Sequence, residues 1–68
     1  MPYAIKNKRY NKFVHATDFR CFPYRQILTS NNPILYKELE DAQNAMIWRG
    51  CGKDYKVVEV KITEVKHD

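Results

Sequence analysis

The sequence predicts a small α+β domain: an antiparallel sheet built in the order strand, strand, strand, helix, strand, with the helix packed on one face. Three observations carry that expectation. Stretches near the amino end alternate apolar and polar residues, residues 35–49 carry apolar side chains at helical spacing, and KDYKVVEVKITEV returns to a period of two. The 68 residues hold no internal repeat, low-complexity tract or linker, so a single domain is expected over 1–68.

In PYAIKN, Tyr3 and Ile5 alternate with smaller or charged residues, which suits a strand with one covered face. NKRYN is a polar turn and KFVHA returns as a second strand, so KNKRYNKF, Lys6 to Phe13, is the end of a hairpin. The turn lacks the Asn-Gly pair that would fix a tight loop, which leaves its register open. TDFRCFPY is irregular, because Pro23 has no backbone donor for a central strand. YRQILT supplies a third strand, and SNNP punctuates the chain.

Two helix starts compete: Asn32 as N-cap with Pro33 at the first helical position, or a start a few residues later. Leu35, Leu39, Ala42, Met46 and Arg49 recur at four-three-four-three spacing and form a mainly apolar stripe. Glu38, Glu40 and Asp41 near the beginning and Arg49 near the end suit the helix dipole. The core of the helix is expected at about residues 38–49, ended by Gly50 or Gly52. In the last strand Val58, Val60 and Ile62 share one face, and Glu59, Lys61 and Thr63 the other.

The succession of YAIKN, a basic turn, KFVH, ILYKELEDAQNAM and a terminal YKVVEVKI resembles short accessory proteins encoded by phages and prophages of Gram-positive bacteria. The resemblance spans most of the chain and rests on packing motifs. It implies a non-enzymatic role in host takeover or counter-defence and carries over no functional residue. Lys37 stands where those proteins have a small capping residue before the helix.

Hydrophobic content of 44% with 13% aromatics excludes a disordered chain. A chain this short buries only about 60% of its unfolded surface, so the core is thin and a homo-oligomer or a covering partner is an open alternative. No apolar run reaches the roughly 18 to 20 residues that cross a bilayer, and MPYAIKNKRYNK has charges where a signal peptide is apolar. A cytoplasmic protein of the host cell, without membrane contact, is therefore expected. Cys21 and Cys51 are then expected as reduced thiols.

The charge is uneven. Residues 1–36 carry Lys6, Lys8, Arg9, Lys12, Arg20 and Arg25 against Asp18, whereas residues 37–68 are nearly balanced, with six basic and seven acidic residues. One half is thus basic, which favours an acidic partner.

Chemistry finds little support. His15, Cys21, Cys51 and His67 are zinc-type ligands, but their spacing is long and irregular where zinc sites use close pairs. Cys51 has Arg49 and Lys53 nearby, yet follows a helix carboxyl end whose dipole opposes a thiolate. Glu38, Glu40 and Asp41 are explained by the helix start, and two glycines cannot supply a phosphate-cradling loop. Neither catalysis nor a cofactor is expected.

Binding fits better. Lys6, Lys8, Arg9 and Lys12 can neutralise phosphates, Tyr10 can stack on a base, and Arg20, Tyr24 and Arg25 can extend that surface. Lysines also populate exposed turns and edges, where they discourage aggregation. Trp48 lies about 160° around the helix from Met46, which suits an exposed interface anchor. The alternative folds it over the helix end against Tyr55 or FRCFPY. The leading expectation is a small non-enzymatic interaction protein that binds and modulates or inhibits a host protein or protein–nucleic-acid complex through Lys6, Lys8, Arg9, Tyr10, Lys12, Arg20, Arg25 and Trp48. A direct nucleic-acid binder and a structural homo-oligomer are the alternatives.

Overall fold

The computed structural model describes residues 2–60. β1 (Tyr3–Asn7), β2 (Lys12–Asp18), β3 (Arg25–Thr29), α1 (Leu39–Trp48) and β4 (Tyr55–Glu59) follow in the expected order. The strands form one antiparallel sheet in the order β3-β2-β1-β4, and α1 lies over β1 and β4. The fold is therefore the expected α+β unit.

The first hairpin closes on the pair Asn7 and Lys12, with Lys8 to Asn11 as its loop. Asn7 is 5% exposed, and its side-chain oxygen accepts the backbone N–H groups of Arg9 and Tyr10, each at 2.8 Å. Asn11 takes a φ of 59°, a left-handed conformation that asparagine tolerates, and donates its N–H to the Asn7 carbonyl at 2.9 Å. The turn thus satisfies its own backbone and leaves its charged side chains to solvent.

Strand alternation sorts the sheet into two faces. Ile5, Val14 and Ala45 form the buried centre beneath α1, with Leu28, Tyr36, Met46, Cys51 and Tyr55 packed around it. Ile5 and Val14 are the largest fully buried side chains, so the core is as thin as the chain length implies. An irregularity between Val14 and Ala16 makes His15 the extra residue of a bulge. That shift keeps both Val14 and Thr17 on the helix side.

The helix starts later than the Asn32–Pro33 signal allows. Tyr36 and Tyr3 exchange backbone hydrogen bonds at 2.8 Å in both directions, and the Ile34 N–H donates to the Val14 carbonyl at 3.2 Å, which holds this segment extended beside the sheet. Glu38 is extended as well and offers no side-chain cap. Leu35 therefore precedes the helix, and both it and Leu39 are exposed, contrary to the stripe read from spacing. The inward stripe is buried Ala42 and Ala45 with half-buried Met46 and Arg49, because the two small alanines let the helix approach the sheet closely.

The helix ends as expected at Gly50. The Gly50 N–H reaches the Ile47 carbonyl at 3.1 Å, and the Cys51 N–H reaches Met46 at 2.9 Å, the paired bonds of a Schellman cap. Gly50 has a φ of 70°, which that cap requires. The chain then returns toward the hairpin, where the Lys8 N–H donates to the Asp54 carbonyl at 2.7 Å.

β4 shows the alternation read from sequence, but α1 covers the side of Tyr55 and Val57. The register sets Val57 opposite Ile5 and Val58 opposite Ala4, so Val58 lies on the sheet's second face. Lys61, Ile62 and Thr63 lie outside the described residues. Adjacent Ala4 and Ile5 point to opposite faces and both are buried, so the second face is not evenly wet. Among the described residues no helix is long and apolar enough to cross a membrane.

Candidate interaction surface

The connection from β2 to β3 begins with a clamp. Asp18 accepts the Arg20 backbone N–H at 3.0 Å and both arms of its guanidinium, Nε on Oδ1 and Nη2 on Oδ2, each at 2.9 Å. Arg20's side chain, then its backbone N–H, hold the Asp18 carboxyl below its ordinary value of 3.8, against a smaller upward push from burial. Arg25 adds a further lowering.

Beyond this clamp the residues of FRCFPY build an aromatic cluster. The Phe19 ring packs edge-on to Tyr24 at 4.9 Å between centroids, and Phe22 does the same at 5.4 Å. Phe19 also stacks on Trp48 at 6.0 Å with 20° between planes. Trp48 thus leans on the irregular segment, as one expectation had it, and remains 53% exposed. Tyr55 packs instead against the core beneath α1. Phe22 at 86% and Ile47 at 78% are more exposed still.

The end of α1 positions this cluster. Tyr24 lies against Gly50, so near that a Cβ there would sit 2.9 Å from its ring carbon Cδ2. Arg49 extends its guanidinium over Trp48 at 4.4 Å, donates through Nη1 to the Thr17 hydroxyl at 2.7 Å and through Nε to the Tyr36 hydroxyl at 3.2 Å. The Thr17 hydroxyl donates to Gln26 Oε1 at 2.6 Å, and Gln26 Nε2 donates to the Arg49 carbonyl at 2.6 Å. A closed polar ring therefore ties the helix end to β2 and β3.

The residues expected to bind do not form one surface. Trp48, Arg20 and Arg25 gather at the FRCFPY end of β2, whereas Lys8, Arg9, Tyr10 and Lys12 are exposed at the hairpin end. The strand between them spans roughly 20 Å at the usual rise per residue. At the hairpin Arg9 lies 5.7 Å over the Tyr10 ring. Lys6 sits farther along β1 with its Nζ 5.5 Å over Phe13. Phe19 and Phe22 were missed as site residues, although three aromatics within FRCFPY, an irregular segment with no periodic core position, were the available signal.

Burial pushes the Cys51 thiol up, and Arg49 opposes this less strongly, so the thiolate is disfavoured at neutral pH. Cys21 is exposed, and both cysteines are free thiols. Among the described residues no group of three or more His, Cys, Asp and Glu side chains comes together. His67 lies outside those residues. Comparisons with protein-family models, curated proteins and solved structures give no match to this chain.

Proposed function

We propose that this chain is a binding protein that acts by covering the surface of a protein partner, with Phe19, Phe22, Tyr24, Ile47 and Trp48 as its contact surface. The exposed aromatic cluster is the observation that carries this reading. Exposed apolar clusters of this kind mark interaction sites, and Trp and Tyr with nearby Arg are the residue types that dominate binding energy. The helix cap and polar ring hold the cluster in place before binding, which lowers the entropy lost on association. Arg20 and Arg25 at its margin favour an acidic rim on the partner. Modulation or inhibition of a host protein, as the resemblance to phage accessory proteins implies, requires such coverage and no bond-making group.

The test is capture from a nuclease-treated Gram-positive bacterial lysate on the immobilised chain, comparing wild type with Trp48→Ala, Phe22→Ser and the hairpin variant Lys8→Glu/Arg9→Glu. A retained protein whose affinity falls about thirtyfold in Trp48→Ala, as a hot spot predicts, and persists in the hairpin variant supports the reading. Capture indifferent to Trp48 and Phe22, or abolished by nuclease, overturns it.

A further inference from the structure

We infer that the sheet face opposite α1 is a second binding surface, which takes a single-stranded nucleic acid with a phosphate between Lys6 and Lys56 and a base on Phe13. Cross-strand register carries the inference. Thr29 pairs with Phe13, Phe13 with Lys6, and Lys6 with Lys56, so these side chains form one row across all four strands on one face. Neighbouring positions in such a row place Cβ atoms about 5 Å apart.

The row contains an unfavourable contact. Lys6 and Lys56 are like charges directly opposite each other, an arrangement that costs stability in an isolated sheet and is relieved by an anion between them. Lys6 Nζ lies 5.5 Å over the Phe13 ring, which joins a cation and the aromatic member of the row. Among the described strands the carboxylate sharing this face is Asp18, which is already clamped by Arg20. Among the described strands no other carboxylate shares the face, so an anionic ligand would supply a charge that those strands do not.

The choice of nucleic acid over an acidic peptide rests on the aromatic member of the row. Ala4 and Ala16 are small residues on this face, where Phe13 and Lys6 are half-buried and Lys56 is exposed. A ring in register with cations on a sheet satisfies both needs of a single strand, stacking for bases and charge for phosphates. An acidic peptide would use the charges alone. This surface is separate from the aromatic cluster and does not depend on its proposed role.

The test is calorimetric titration of the full chain with a thymidine 12-mer at several salt concentrations. Wild type should bind with a negative log–log salt dependence, and Lys6→Glu/Lys56→Glu should weaken binding at least tenfold and reduce the slope by about 0.7 for each phosphate the variant no longer neutralises. Phe13→Leu, which keeps an apolar side chain in place, should weaken the 12-mer by about five- to hundredfold and leave an abasic 12-mer unaffected. The single variant Lys56→Glu should bind more weakly while raising the thermal midpoint, because Glu opposite Lys6 is a favourable pair. Weakened binding in a stabilised protein cannot come from unfolding. The inference is overturned by the absence of binding at about 50 mM salt, by equal affinity for polyglutamate or the abasic 12-mer, or by loss of binding in Lys8→Glu/Arg9→Glu with the sheet variants unchanged.

Discussion

Gly50 shows how much one residue carries in a chain with so little core. Its left-handed φ and the Tyr24 ring lying 2.9 Å from any added Cβ act in the same direction. Gly50→Ala is expected to lose about 1–2 kcal/mol from backbone conformation alone, more with the ring contact, as a reduced urea midpoint. Asn7→Ala is expected to cost about 1–3 kcal/mol, since it removes the acceptor of two turn N–H groups from a buried position, while Asn7→Asp should cost less. Asp18 makes a pH prediction. A carboxyl whose folded pKa is lowered contributes stability above its unfolded value, near 3.9, and loses it as pH falls through the lower folded value. Carbon-13 titration should place Asp18 below 3.8 in wild type and return it toward that value in Arg20→Ala. At this scale the sequence was partly legible: Gly50 was readable as a helix stop from its position, but its contact with Tyr24 joins residues 26 apart in the chain and has no local signature.

Among elements, the end of α1 depends on Arg49 more than on apolar burial. Its planar guanidinium serves Thr17 and Tyr36 while lying over Trp48, and its carbonyl receives Gln26. Arg49→Lys keeps the charge but loses the fork, and is expected to cost about 1–3 kcal/mol in chemical denaturation because it leaves partly buried hydroxyls without their donor. Spacing revealed the helix because its period is local. Its start was misread because Asn32 and Pro33 are locally compatible with a helix, and only the distant pairing of Tyr36 with Tyr3 holds the segment extended. The faces of β4 show the same limit. A period of two separates Val57 from Val58 but cannot say which one α1 covers, since that follows from register with β1.

For the whole molecule, the separation along β2 turns one expected basic surface into two distinct ends. Arg20 and Arg25 were grouped with the hairpin lysines by charge, yet the fold carries them to the aromatic cluster. Sequence reading recovered the class of each residue and not its neighbours. The separation also predicts independence: the stability changes of Trp48→Ala and Lys56→Glu should add within about 0.5 kcal/mol in a double variant, as expected for sites without shared partners. A larger deviation in urea denaturation would show that the sheet face and the aromatic cluster are coupled.

Trp48 is the chain's one tryptophan, and it sits where Phe19 and Arg49 meet the end of α1. Its intrinsic emission therefore reports a single corner of the protein. On gradual heating, a change in emission ahead of the far-ultraviolet sheet signal would record the FRCFPY connection lifting from α1 while the strands remain paired. With no dye attached, the same wavelength would follow a partner closing over the indole and excluding its water.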